Sequence, residues 1–233
     1  MLTLYGIGSP NVMKVVLMLE ELGLPYDFRF IDVWAQQQFA PEFVAMNPNS
    51  KVPVLVDEPA GLTLSESGAI LIYLAEKSGR FLPASAPQRQ ACFQWLMFQM
   101  ASIGPMFGQA THFRRNAPPG NEYALSRFVT EVKRLADVLQ SRLATSPYLA
   151  GEEYSIADMA AYPWISQYLD PNGIGLASVP VIADWIRRIE ERPATRLVMR
   201  QWAEIRSATQ ELRSHGTSEG FDRLFGRGRY ARA

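Results

Sequence analysis

The sequence predicts a two-part chain: an α/β N-terminal domain of order βαβαββα, followed by an all-α C-terminal domain. Three observations carry this. Strand and helix signals alternate over residues 1–80, a proline-bearing segment follows at 81–87, and strand signals nearly vanish beyond it.

Leu2 to Tyr5 reads as a short apolar strand. A helix then starts at Pro10, with Val12, Val15, Val16, Leu19 and Leu22 on one face and Gly23 as its stop. Tyr26 to Val33 alternates as a second strand, and Gln38 to Met46 forms a short helix before the Asn47-Pro48-Asn49 turn. Pro53 to Val56 is the third strand, and Leu62 to Leu64 the fourth, after Pro59-Ala60-Gly61. Glu66 to Ser78 is an almost wholly apolar helix closed by Gly79, the pattern of a buried element. Helical periodicity then recurs around 88–113, 122–144, 155–169, 179–191 and 194–208. The expected boundaries are therefore 1–80, a linker at 81–87, a helical domain at 88–208 and a tail at 209–233.

Of the 233 residues 48% are hydrophobic, ample for a core of this size. With 23 basic and 23 acidic side chains, no field favours nucleic acid or an anionic membrane. Residues 1–80 hold 5 basic and 9 acidic groups, so the first part is acidic and the remainder basic. The single cysteine, Cys92, excludes an internal disulfide or a Cys-x-x-Cys motif. Any thiol chemistry must borrow its sulfur. Neither a signal segment nor an apolar run near the ~20 residues of a membrane span is seen, so a cytoplasmic protein is expected.

Three segments could carry chemistry, and each has a plainer reading. Val52-Pro53 is either a trans proline opening a strand or a cis bond exposing a strand-like edge to a peptide. Ser65-Glu66-Ser67-Gly68 either caps a helix or binds an α-amino acid head, with Glu66 on the ammonium and Ser67 with nearby amides on the carboxylate. Ser9-Pro10-Asn11 either caps the first helix or places donors beside a thiolate.

Taken together with Ser155-Ile156-Ala157-Asp158, a capping-box pattern in the helical part, these segments resemble a glutathione transferase over about residues 1–205. Gln38-Phe39-x-Pro41-Glu42-Phe43, Asn47-Pro48-Asn49-x-Lys51-Val52-Pro53 and Gly104-Pro105-Met106-x-Gly108-Gln109 are similar to the bacterial nu class, which is related to a yeast prion nitrogen regulator. The resemblance implies a thioredoxin-like N-terminal domain and a homodimer. It assigns Glu66 and Ser67 to the γ-glutamyl head of glutathione, the Val52 backbone beside Pro53 to the cysteinyl unit, and Gln38, Asn49 and Lys51 to the glycyl end. Ser9 and Asn11 fall beside the sulfur, and Arg127 near a second glutathione. Serine stands at position 9 where the nu pattern commonly has threonine.

The activity implied is glutathione-dependent disulfide reduction by a bound glutathione thiolate, glutathione being a co-substrate that can occupy the site as two molecules or as the disulfide. Conjugation to electrophiles, peroxide reduction, and a non-catalytic glutathione-binding regulator are the competing readings. No metal is expected, because His112 has no partner set and Cys92 reads as a buried small hydrophobe. Tyr5 lies inside a strand and does not match the family's tyrosine-type thiol activator. Trp95, Trp164, Trp185 and Trp202 read as core. In the tail, Phe221, Leu224, Phe225 and Tyr230 are too apolar for a purely solvated segment, and docking on the acidic N-terminal domain competes with a disordered terminus.

Overall fold

A computed structural model describes residues 1–231. They form two compact units, one of residues 1–70 with the chain from 197 onward, the other of residues 71–196.

In the first unit, strand β1 (Leu2–Gly6) leads into helix α1 (Pro10–Leu22), which returns the chain to β2 (Tyr26–Phe30) parallel to β1. Parallel neighbours need such a crossover. Helix α1 starts because Ser9 is extended and accepts the Val12 amide, and Pro10 occupies a position whose N–H has no helical partner. It ends at Gly23, which adopts φ 66° at no steric cost. Val12, Val15, Val16, Leu17 and Leu19 are fully buried, each side chain contributing about 1.5–3 kcal/mol of transfer free energy.

Strand β2 is shorter than the predicted Tyr26–Val33. Asp32 turns the chain out of the sheet, its carboxylate accepting the amides of Trp34 and Ala35. A 3-10 turn (Gln37–Phe39) and helix α2 (Pro41–Met46) stand where one short helix was expected. Strands β3 (Val54–Asp57) and β4 (Leu62–Ser65) pair antiparallel, giving the order β2-β1-β3-β4. Helix α3 (Ser67–Ser78) follows at once.

The second unit contains helices α4 (Ala86–Phe98), α5 (Gly104–Arg115), α6 (Glu122–Leu143), α7 (Ile156–Tyr168) and α8 (Pro180–Glu190). A π turn (Gln99–Ile103) joins α4 to α5 inside the predicted 88–113 segment. Gly104 and Gly108 lie against the Trp164 ring, where a Cβ would come within 3.6 and 3.5 Å. These are ordinary packing distances, and the tighter approach is at Gly104, where a Cβ would sit 3.0 Å from Gln99 Nε2. Trp164 and Trp95 are only half-buried, unlike Trp185 and Trp202. Asp158 is fully buried and accepts from the Ser155 amide, the Leu149 amide and Trp185 Nε1, so the capping box also ties α7 to α8.

Helix α9 (Pro193–Ser214) runs beyond the predicted 208, and α10 (Ser218–Phe225) adds a helix the periodicity did not announce. Phe221 and Leu224 of α10 pack with Leu212 on a cluster of Ile31, Val33, Trp34, Phe43 and Val54. Gly220 is required there, since a Cβ would lie 2.2 Å from the Trp34 carbonyl oxygen. Arg223 lies 4.0 Å over the Phe39 ring and donates to Gln36 Oε1.

Candidate functional site

The first unit brings three short segments of predicted site residues to the ends of its strands. Ser9 and Asn11 follow β1, the 49–53 turn precedes β3, and Glu66 with Ser67 follow β4. The register sets this, because Tyr5 pairs with Val54 and Val54 pairs with Ser65.

Ser9 and Asn11 are half-buried at the start of α1. The Ser9 hydroxyl accepts the Val12 amide at 3.4 Å, so it acts as helix cap, and its O–H remains a donor by chemistry. The loop before it is tied down from far along the chain. Gly8 N–H donates to Thr209 Oγ1 of α9 at 2.7 Å, and a Cβ on Gly8 would sit 2.9 Å from that oxygen.

The peptide bond Val52-Pro53 is cis. Its turn is organised by Asn47, which is 2% exposed. The Asn47 Nδ2 donates to the Lys51 carbonyl at 2.7 Å, and its Oδ1 accepts the Asn49 amide at 3.0 Å. Asn49 and Lys51 themselves are exposed. Gln38 is placed differently: only 2% exposed, it donates through Nε2 to the Val33 carbonyl at 3.2 Å. Its Oε1 is buried without a hydrogen-bond partner among the described residues. As placed, Gln38 holds its own loop from inside.

Glu66 and Ser67 split by exposure, the carboxylate outward and the hydroxyl buried. Glu66 adopts φ 68°, a left-handed conformation that costs a non-glycine residue of order 1 kcal/mol or more and is concentrated at functional sites. Beneath Ser67 lies a residue the sequence reading missed. Lys14 of α1 is 1% exposed, and its Nζ donates to Ser67 Oγ at 3.2 Å. Burial pushes its amine down to about 7, while the Glu66 carboxylate pulls it back up. The available signal was a lysine inside the apolar run Val12-Met13-Lys14-Val15-Val16, since lysine is almost never fully buried unless paired. Thr209 and Asn47 carried no comparable signal.

In the second unit, Arg127 is exposed on α6, one turn from Glu131. Cys92 is fully buried, and burial pushes its thiol up, away from the nucleophilic range. No group of three metal-ligating side chains occurs among the described residues.

The fold is shared with known proteins. The family models for the glutathione S-transferase N-terminal and C-terminal domains match residues 1–76 and 98–193. The chain belongs to the glutathione S-transferase family. It is 46% identical over 200 residues to "Disulfide-bond oxidoreductase YfcG" of Escherichia coli (strain K12), covering 84% of this chain and 93% of that protein. It is 40% identical to "Disulfide-bond oxidoreductase YghU" of the same organism, covering 84% and 73%. Among solved structures, a glutathione transferase family member from Pseudomonas fluorescens with two glutathione bound superposes with a TM-score of 0.80 at 40% identity, covering 86% of this chain and 92% of that one. Ure2p in complex with glutathione gives a TM-score of 0.80 at 31% identity, covering 85% and 92%.

Proposed function

We propose that the protein is a glutathione-dependent disulfide-bond oxidoreductase that works with a bound glutathione thiolate. The observation that carries this reading is the half-buried Ser9 and Asn11 pair at the α1 N-terminus, in a chain whose single thiol is buried and disfavoured as a thiolate. Donors at that position lower the pKa of a thiol, each unit corresponding to ~1.4 kcal/mol. Glu66 and Ser67 hold the γ-glutamyl head, the Val52 backbone beside Pro53 holds the cysteinyl unit, and Asn49 and Lys51 serve the glycyl end, Gln38 acting there through the loop it holds.

The glutathione thiolate attacks one sulfur of a disulfide. A mixed disulfide with glutathione forms, the substrate S–S bond breaks, and the other half departs as thiolate to take a proton from solvent. A second glutathione thiolate attacks the glutathione sulfur of that mixed disulfide, yielding glutathione disulfide and the second reduced half. Each turnover oxidises two glutathione thiols and reduces one disulfide. Arg127 is assigned to the second glutathione, and the working form is a cytoplasmic homodimer. The names of the two E. coli relatives and the neighbour holding two glutathione molecules support this reading.

The test is turnover with a small dialkyl disulfide beside turnover with a chlorinated aromatic electrophile, both with glutathione. Faster disulfide reduction is expected. Preference for the electrophile would assign the same thiolate to conjugation, and failure of both with glutathione binding intact would make the protein a glutathione-binding regulator.

A further inference from the structure

Within the γ-glutamyl subsite just assigned, two groups of opposite charge neighbour Ser67. Glu66 faces solvent, and Lys14 lies buried with its Nζ 3.2 Å from Ser67 Oγ. A lysine ammonium carries donors only. When Lys14 is the ammonium, the Ser67 oxygen is the acceptor in this contact. Burying the Lys14 cation at 1% exposure costs several kcal/mol that a methionine of similar volume would not. Good packing does not require that charge.

We propose that Lys14 is a positioning residue for the glutathione head group: it fixes the Ser67 hydroxyl as a donor toward the ligand α-carboxylate and supplies the buried positive charge that carboxylate needs. The inference rests on reading Glu66 and Ser67 as the γ-glutamyl subsite. The exposed Glu66 then takes the α-ammonium, so the pair divides a zwitterion between them. Glu66 is the charged group that faces Lys14 from the start of α3, and a carboxylate docked on Ser67 adds to its pull, so binding favours the ammonium form of Lys14.

Calorimetry on wild type, Lys14→Met and Lys14→Gln with three ligands decides. Glutathione carries both head-group charges, 4-aminobutyryl-cysteinylglycine lacks the α-carboxylate, and glutaryl-cysteinylglycine lacks the α-ammonium. Loss of Lys14 is expected to weaken glutathione and the glutaryl ligand about tenfold or more, and to leave the 4-aminobutyryl ligand nearly unchanged. Equal weakening of all three ligands, or no weakening of any, overturns the role of Lys14. A wild type that binds the 4-aminobutyryl ligand as tightly as glutathione removes the subsite reading itself, and the proposal with it. Lys14→Gln keeps a polar group at the position and carries the comparison should Lys14→Met not fold.

Discussion

The Gly8 amide donates to the Thr209 hydroxyl at 2.7 Å across 201 residues of sequence, fastening the loop that precedes Ser9 to the last long helix. The contact allows no side chain at position 8, where a Cβ would also approach the Arg206 backbone to 3.3 Å. Thr209→Val keeps the shape and deletes the acceptor. We expect a stability loss of about 1 kcal/mol, with a larger relative loss of turnover than of glutathione affinity. Unchanged kcat with unchanged Tm would show that the fastening does not reach the thiolate donors.

Ser9→Ala and Asn11→Ala are expected to lower turnover more than glutathione binding, because their donors act at the sulfur while other contacts anchor the tripeptide. One preorganised donor of this kind is worth about 2–4 kcal/mol. Full activity in the double variant would refute the assignment. Cys92→Ser should leave turnover largely intact, since that thiol is fully buried.

Glu66→Gln should weaken glutathione binding with little effect on the rate at saturation, because the ammonium loses its charged partner and the sulfur keeps its own. Calorimetry reads the first effect and steady-state kinetics the second. An unchanged Kd would remove Glu66 from the site.

Lys14 sets a pH dependence of stability with a definite sign. Its folded pKa, about 7, lies below the 10.5 of a free lysine. Between those values the unfolded chain binds more protons than the folded one, so stability rises with pH across that window. Below pH 7 both states are protonated and the cost of the buried charge is fully present. The stability of wild type relative to Lys14→Met should therefore increase from pH 7 toward pH 10, measured by urea denaturation at matched ionic strength. A difference that stays flat would place the ammonium in a far more polar setting than its burial shows.

Gly220→Val should lift α10 from Trp34, because the backbone oxygen at 2.2 Å cannot move aside as a flexible side chain would. Faster amide exchange over residues 31–39 and a lower Tm are expected. Deleting residues 213–233 should reproduce both, and turnover on large against small disulfides would show whether α10 also shapes substrate choice. Native exchange and Tm in both variants would mean that α10 contributes nothing to that loop.

Helix ends were legible in the sequence, because their capping partners lie within one turn. Ser9 with Pro10, Gly23 after α1, and Ser155 with Asp158 announce helix ends because capping donors and acceptors sit within one turn of each other. Alternation and 3.6-residue periodicity announced the order βαβαββα and, as five helical segments, the helices α4 to α9 in the same way. Tertiary structure alone decided that Thr209 serves Gly8, that Lys14 lies under Ser67, and that a glycine-bearing C-terminal segment folds as α10 over Trp34. Each joins residues tens to hundreds of positions apart, and a hydroxyl, an amine or a missing side chain acquires its role only when the fold brings up the group it meets. Burial does the same to Gln38, whose side chain reads from sequence as a ligand contact and lies in the structure against its own loop.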